Sequence, residues 1–362
     1  MLLNDLDALR TTYVSTDDLT IRQINDLTKT VEVIQMRKGY WLYFVMISLL
    51  VSGCSLPKLS LFPEAGPLKE VTLEGTGDQK ILVITINGAI SDQPKEKLLR
   101  TRPSMVQELV SHLRRAEKDA QVKVLLLKVN SPGGTVTASD VLYHEISGYK
   151  ERTGVKVVVS MMDVAASGGY YLSLPADWIM AHPTTITGSV GVIFMRPGVS
   201  GFMEKFGLAM NINKSGAQKD MGSPFRPPTA EDEAIFQELT DQMAARFYSL
   251  VEKHRRPRPE QMDRIKTARV FMAAEALNMG LVDEVGYLKD ALAKARSLAG
   301  LKADAKVITY RRYESEDDNI YNPAMSSDPQ GVPCGNLSTL TRLLPMPDAG
   351  FYYIWPAAVG EY

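Results

Sequence analysis

The sequence predicts an α/β fold built around a largely parallel sheet, and two observations support that prediction. Continuous apolar runs rich in β-branched residues, which are typical of buried strands, alternate along the chain with segments of helical periodicity. Such alternation favours parallel strands joined by right-handed crossovers. The composition, 45% hydrophobic and 23% charged residues, is that of a folded protein and excludes a disordered chain or a protein of many membrane spans.

The individual elements follow in order along the chain. Apolar runs predict strands over residues 81–86, 122–129, 155–161 and 178–181. Apolar residues at helical spacing predict a helix over residues 104–118. Further helices are predicted over residues 137–149, over 229–254, where Thr229 and Asp232 open the helix, and over 272–279 and 288–298 around the turn at 280–283. Thr137 with Asp140 resembles a capping box at the start of the second of these helices. Residues 186–194 form an apolar run interrupted by glycines.

Charge and the number of metal-ligating residues narrow the function classes. The 41 Lys and Arg residues are offset by 42 Asp and Glu, so the net charge of −1 gives no electrostatic reason to expect a nucleic-acid partner. The two cysteines, Cys54 and Cys334, are too few for a disulfide framework or a thiolate metal cluster. The histidines are scattered, and no HExxH or CxxC motif occurs, so we expect no protein-built metal site.

Residues 36–53 resemble an export signal. Arg37 and Lys38 precede an apolar run of 12 residues. Such a run is short for a membrane span, which needs roughly 20 residues, but is typical of a signal-peptide core. The four residues ending at Cys54 look like a bacterial lipobox, in which the cysteine is lipidated and becomes the mature N-terminus. The alternative is an uncleaved N-terminal membrane anchor.

Three further segments flank the body of the chain. Residues 1–35 carry six acidic and three basic residues, which does not suit a signal peptide, so we expect a non-native leader and a start at Met36. Residues 54–79, rich in Pro, Gly and Leu without periodicity, predict a tether. Residues 301–362 form a C-terminal extension, polar at first and aromatic at 351–355. We expect that aromatic cluster to be buried at a contact between copies of the chain.

Two glycine-rich junctions are candidates for catalysis. The motifs NSPGG at 130–134 and AASGG at 165–169 each follow a predicted strand, where α/β sheets place their ligands. Ser167 lies where a helix would begin, so we expect an exposed hydroxyl that could act as a nucleophile. Backbone amides at such junctions can form an oxyanion hole, and the candidates here are Gly133, Gly134 and Gly168. The alternative is that both junctions are only tight turns.

A serine nucleophile needs a base. His182 follows a short predicted strand, so a pair of Ser167 with His182 is one possible arrangement. The other candidate is Lys219, which lies in a glycine-flanked segment but which, taken alone, has the character of a surface lysine. A lysine base requires its amine to be kept neutral by burial. A carboxylate in contact would oppose this, so we expect the Asp220 side chain to point toward solvent or an arginine.

Five motifs taken together are recognisable: NSPGG, AASGGYY, TGSVGVI at 187–193, SGAQKDMGSPFR at 215–226 and ARVFMAAEALNMGLVDEVG at 268–286. They resemble the signal peptide peptidase A (protease IV) family of bacterial serine peptidases, of the short single-unit type, over residues 80–300. The resemblance implies a Clp-protease/crotonase-like fold of repeated β-β-α units with a helical C-terminal part. It also implies a Ser/Lys dyad, homo-oligomers and no cofactor. Matching motif to motif, it assigns Ser167 as the nucleophile, Lys219 as the base and Ser189 as the residue that orients the lysine.

The resemblance further implies a membrane-associated serine endopeptidase of the cell envelope, facing the periplasm or the exterior. Its expected substrates are signal-peptide remnants or other envelope peptides. Two alternatives remain open at this point. A crotonase-like acyl-CoA enzyme would have two similar oxyanion loops but would not need the pair Ser167 and Lys219. A non-catalytic lipoprotein that binds peptides is the other alternative.

Overall fold

The computed structural model describes residues 66–97, 100–312, 318–322 and 349–358. All of them belong to one compact unit, residues 62–362. The predicted leader, signal peptide and lipobox lie outside these residues, as do Cys54 and Cys334. Among the described residues, no helix combines the length and the apolar character that a membrane crossing requires.

The described residues form strands of very different length. They are β1 (Lys69–Glu74), β2 (Lys80–Asn87), β3 (Lys95–Lys97), β4 (Arg100–Arg102), β5 (Val122–Ser131), β6 (Gly133–Thr135), β7 (Lys156–Ala166), β8 (Trp178–Ala181), β9 (Ile186–Gly188), β10 (Ile193–Met195), β11 (Val270–Met272), β12 (Glu284–Val285), β13 (Lys306–Arg311) and β14 (Gly350–Ile354). The longest are β2, β5 and β7.

The helices flank these strands. They are α1 (Met105–Ala116), α2 (Val136–Thr153), α3 (Gly168–Tyr171), α4 (Ser200–Lys205), α5 (Ala230–Arg255), α6 (Pro259–Lys266), α7 (Ala273–Asn278) and α8 (Leu288–Leu298), and a 3₁₀ turn follows at Pro356–Ala358. The structure thus confirms the predicted α/β class.

The main sheet has the strand order β1-β13-β2-β5-β7-β8-β12, with β9 also pairing with β7 and β11 with β9. From β13 to β12 the pairs along this order are parallel, whereas β1 and β11 pair antiparallel with their neighbours. A second sheet has the order β10-β14-β6 and is antiparallel. Because parallel strands end at the same edge of the sheet, the junctions after β5, β7 and β9 lie together.

The core lies on both faces of the main sheet, because successive side chains of a strand point to opposite faces. In β2, Ile81 and Val83 pack toward α8, while Leu82, Ile84 and Ile86 pack toward the larger cluster on the other face. The strands β2, β5 and β7 are therefore largely apolar at their centres, as is typical of sheets covered on both sides.

Two sequence-based expectations need correction here. The predicted tether contains β1, whose residues extend the main sheet through hydrogen bonds with β13. Helix α2 begins at Val136 and has no side-chain cap at its start, so the predicted capping box at Thr137 does not form. The side chain of Asp140 is instead bound by Tyr171 and Arg246. The glycine-interrupted run at 186–194 is two short strands, β9 and β10.

Candidate active site

Ser167 connects β7 to α3 in a strained backbone conformation. Its φ of 53° and ψ of −114° lie in a region that side-chain-bearing residues rarely adopt, at a cost of about 1–3 kcal/mol. Two hydrogen bonds hold this conformation. The Ser167 N–H donates to Gly188 O at 2.7 Å, and the Ser167 carbonyl accepts from the Tyr171 N–H at 2.8 Å. We call residues 165–169 the serine turn.

The Ser167 hydroxyl is buried and unpaired. The residue is 1% exposed, and its Oγ has no hydrogen-bond partner. The expectation of an exposed hydroxyl was therefore wrong, and the reason is the C-terminal strand β14, which lies against the neighbouring glycines. An unsatisfied buried hydroxyl costs about 1–3 kcal/mol. Such a group is explained when a substrate or a base supplies the missing partner.

The structure brings the two glycine-rich junctions into contact. A Cβ on Gly133, whose φ is +100°, would lie 2.7 Å from Gly168 N and 1.9 Å from Tyr353 O, so only glycine fits there. A Cβ on Gly134 would lie 1.9 Å from Ile90 O. Of the three predicted oxyanion donors, the Gly133 N–H is already engaged, because it donates to Ser131 Oγ at 3.1 Å.

Ser189 lies beside Ser167. Strands β7 and β9 are parallel, Ala166 is opposite Gly188, and each strand is followed directly by its serine. Neighbouring strands are about 4.8 Å apart, which places the backbones of the two serines next to each other. Ser189 is 8% exposed and has a φ of 51°, similar to that of Ser167. The structure thus juxtaposes two of the three residues that the sequence assigned to the dyad and its support.

Lys219 differs from these two serines in its surroundings. It belongs to residues 198–225, which we call the lysine segment and in which no residue is buried. Lys219 itself is exposed and lines an open hollow with Met210, Ile212 and Phe225. Because Ser167 Oγ has no partner, no hydrogen bond joins it to the Lys219 amine, although the predicted dyad would require one.

Asp220 is oriented as the sequence predicts. Its Oδ1 accepts hydrogen bonds from Arg226 Nη2 at 3.0 Å and from Lys214 Nζ at 2.8 Å. These two cations lower the pKa of Asp220 to about 2. The carboxylate is thereby committed to other cations and is not held by the amine of the adjacent Lys219.

The described histidines do not supply a base. His182 Nδ1 pairs with Thr184 Oγ1 at 2.8 Å, and its ring packs edge-on against Tyr287. His254 Nε2 pairs with the hydroxyl of Tyr143 at 2.8 Å. Since Ser167 Oγ is unpaired, the Ser–His arrangement that the sequence left open is not formed.

Strand β14 is a part of the site that sequence reasoning missed. It pairs with β6 on one side and with β10 on the other, and Tyr353 is opposite Gly134. The Tyr353 ring is fully buried, stacks on Tyr171 at 5.0 Å, and its hydroxyl donates to Met243 O at 2.9 Å. The expectation that the aromatic cluster is buried between copies was wrong for Tyr353, which packs within its own chain. The density of aromatic residues was the available signal.

The described residues contain no cluster of His, Cys, Asp and Glu suited to holding a metal ion.

Two solved structures resemble the chain weakly. One is a mutant of the 1510-N membrane-bound stomatin-specific protease, with 17% identity, a TM-score of 0.39, and coverage of 61% of this chain and 86% of that one. The other is a ClpP1 mutant from Listeria monocytogenes, with 18% identity, a TM-score of 0.38, and coverage of 58% and 94%.

Sequence comparison is more decisive. Peptidase family S49 matches residues 150–302. The putative signal peptide peptidase SppA of Enterococcus faecium is 34% identical over 252 residues, which are 69% of this chain and 73% of that protein. A putative protease of Synechocystis sp. is 33% identical over 62% of this chain and 76% of that protein. Protease 4 of Haemophilus influenzae is 32% identical over 67% of this chain and 38% of its own length. The chain therefore belongs to the SppA family of serine peptidases, peptidase family S49.

Proposed function

We propose that the chain is an endopeptidase in which Ser167 is the nucleophile, Lys219 is the general base and Ser189 orients the lysine amine. The observation that carries this proposal is the serine turn. Its hydroxyl is buried without a partner, on a strained backbone that two hydrogen bonds maintain, beside a second serine. Strain and an unsatisfied hydroxyl at the end of a strand are typical of a functional residue.

The chemistry follows from these positions. Ser167 Oγ attacks the carbonyl carbon of the peptide bond, and Lys219 Nζ accepts the hydroxyl proton. The same proton then passes to the leaving amine as the peptide bond breaks. A water molecule hydrolyses the acyl-enzyme with the lysine again as base. Backbone N–H groups, among which we propose that of Gly168, stabilise the oxyanion, whereas Gly134 is paired with Tyr353 of β14.

The amine of Lys219 must be shielded from water to act as a base, and we propose that a neighbouring copy of the chain covers it. A lysine amine accepts a proton only when it is neutral, and exclusion of water favours the neutral form. Lys219 is exposed in the single chain. The lysine segment also exposes six large apolar side chains, by 41% to 66% of their area: Phe202, Phe206, Leu208, Met210, Ile212 and Phe225. Apolar surface of this extent is typical of an interface, so a homo-oligomer would both cover it and desolvate the amine.

Strand β14 favours a peptide over an acyl-CoA substrate. It is an extended chain held by β6 on one side and by β10 on the other, next to the glycines of the serine turn. The backbone groups of β6 and β10 that pair with β14 thus fit an extended peptide backbone, which would have to displace β14 to reach them. A peptide substrate offers such a backbone, whereas an acyl-CoA offers none.

We also propose that the protein acts in the cell envelope. The lipobox ending at Cys54 would attach a lipid after export, and a diacylated cysteine with an added acyl chain gives stable anchoring. The expected substrates at that membrane are apolar peptides such as signal-peptide remnants. Mass spectrometry of the native protein tests this proposal. A lipidated Cys54 supports it, whereas peptides from residues 1–35, or an unmodified Cys54 still joined to Gly53, contradict it in favour of an uncleaved anchor.

The test of the dyad uses the full chain and a fluorogenic peptide. Ser167→Ala and Lys219→Ala should each lower kcat about a thousandfold or more while the chain still folds. Lys219→Arg is the matched control, because it keeps the charge but provides no base at neutral pH. Ser189→Ala should lower kcat less, since Ser189 orients the base and takes no proton.

Three results would contradict the proposal. Substantial peptidase activity of Lys219→Ala at neutral pH would exclude the lysine as base. Activity of Lys219→Arg equal to that of the unaltered chain would show that only the positive charge matters. Hydrolysis of an acyl-CoA thioester at a rate above that of the peptide would favour the crotonase-like alternative.

A further inference from the structure

The short helix α3 holds Ser167 in place from behind. Its last residue, Tyr171, donates its backbone N–H to the Ser167 carbonyl at 2.8 Å, which is one of the two bonds that maintain the strained turn. Because α3 has only four residues, it cannot be rigid by itself. The position of Ser167 therefore depends on what holds the side chains of α3. These include Tyr170, whose hydroxyl donates to Leu281 O, and Tyr171, whose ring stacks on Tyr353.

The Tyr171 hydroxyl is held by a charged pair. It donates to Asp140 Oδ1 at 2.5 Å, and the same oxygen accepts from Arg246 Nε at 3.0 Å and from Arg246 Nη2 at 2.7 Å. Asp140 belongs to α2, and Arg246 belongs to α5. Burial, followed by the hydrogen bond to Asp140, raises the pKa of the Tyr171 hydroxyl above its ordinary range, so it stays a donor. One carboxylate thus joins three helices behind the nucleophile.

We propose that Asp140, held by Arg246, is a positioning residue that fixes the nucleophile Ser167 through Tyr171. This inference rests on the proposed role of Ser167. Asp140 follows the glycine junction at Gly133 and Gly134 by one turn of α2, so the same carboxylate also fixes α2 against α3. Losing the bond would let the serine turn relax toward unstrained backbone, and the hydroxyl would leave its reactive position.

A neighbouring pair provides a matched control. Tyr143 also belongs to α2, and its hydroxyl pairs at 2.8 Å with His254 of α5, so it joins the same two helices. Tyr143 is almost fully buried, and its ring packs edge-on against Tyr171 at 5.5 Å. It does not hydrogen-bond to the serine turn. Tyr143→Phe therefore removes a comparable buried hydrogen bond without releasing α3.

The experiment measures kcat, KM, the unfolding temperature and the rate at which a fluorophosphonate labels the full chain. Tyr171→Phe and Asp140→Ala should each lower kcat and the labelling rate about tenfold, below the roughly hundredfold that a 1 Å misplacement can cost. KM should change less than about twofold, since the substrate contacts remain. Asp140→Asn keeps an acceptor for the tyrosine hydroxyl and should recover most of the loss.

The double variant distinguishes a positioning role in one shared hydrogen bond from a general loss of stability in the chain. Tyr171→Phe with Asp140→Ala should lose no more kcat than either change alone, because both break the same bond. The inference is overturned if the two losses multiply, or if Tyr143→Phe lowers kcat as much as Tyr171→Phe. Ser167→Ala in the same assay tests the nucleophile separately. Its labelling and hydrolysis should be abolished, and retention of either would refute the proposed function and this inference together.

Discussion

The serine turn and the lysine segment differ in burial and in backbone restraint. Ser167 is 1% exposed, both of its backbone groups are hydrogen-bonded, and the Cβ positions of the glycines that follow it are blocked by Ser139 Oγ and Ser131 O. The lysine segment contains no buried residue, and glycines such as Gly201 and Gly216 have open space around them. One half of the proposed dyad is thus preorganised within a single chain, whereas the other half lies on surface that the single chain leaves uncovered.

This difference indicates a division of roles. Preorganisation matters most where charge develops, which is at the nucleophile and the oxyanion. The lysine amine, by contrast, needs only to be brought to the serine and shielded from water, and an interface between copies can do both. The comparison therefore predicts that changes in the serine turn act on folding and chemistry together. Changes in the lysine segment should act on chemistry and assembly while leaving the fold of each chain intact.

The largest expected effect comes from mixing two inactive variants. If Lys219 of one copy serves Ser167 of its neighbour, a mixture of Ser167→Ala and Lys219→Ala chains should regain about a quarter of the full activity, because one site in four combines both intact residues. Each variant alone is the control and stays inactive. A mixture as inactive as its components would show that the lysine serves its own chain, and the two regions would then have to meet by movement within it.

The second effect tests the rigidity around the serine turn. Gly133→Ala places a Cβ 1.9 Å from Tyr353 O at a φ of +100°. We expect it to lower the free energy of unfolding by about 3 kcal/mol or more, since backbone atoms must shift. Gly154→Ala is the matched control, because Gly154 also has a positive φ, of +69°, but nothing within 4 Å. It should cost about 1 kcal/mol. Equal costs in thermal unfolding would contradict the comparison.

The third effect concerns assembly. Replacing Phe202 and Phe206, which are 63% and 66% exposed, by serine should change the stability of each chain by less than about 0.5 kcal/mol. It should nevertheless lower the oligomeric state in sedimentation experiments, and kcat with it. Tyr287→Ser, at a position that is 57% exposed outside the lysine segment, is the control. The interface proposal fails if both variants sediment like the unaltered protein.

The smallest effect is an acid transition of the lysine segment. Arg226 lowers the pKa of Asp220 to about 2 and holds the pKa of Asp232 well below its usual range. Both carboxyls thus have a folded pKa below the unfolded value of about 3.9. Their stabilising contribution is present above that value and is lost as the pH falls from about 4 toward 2. Hydrogen exchange at pH 3 should show residues 214–226 losing protection before the serine turn, and simultaneous loss would contradict this.

Local patterns in the sequence predicted a large part of the fold. Because a strand covered on both faces is largely apolar, β2, β5 and β7 were recognisable as apolar runs. Helix α5 was recognisable from Thr229 and Asp232 at its start, and the structure shows that these two residues form a capping box there. The short strands β9 and β10 were not assigned, since three residues carry no readable period.

In the candidate site, too, some features could be predicted from local sequence and others depend on tertiary contacts. The sequence by itself determined the glycine junctions, the serine between strand and helix, and the orientation of Asp220, because each depends on residues near one another in the chain. Only the tertiary structure decided that β14 covers the junction at Gly133 and that Asp140 binds Tyr171 and Arg246 instead of capping a helix. It also decided that Lys219 is exposed and makes no hydrogen bond to the buried Ser167. These features join segments that are far apart in sequence. Their contacts arise from packing and pairing in three dimensions, which no local pattern of residues encodes.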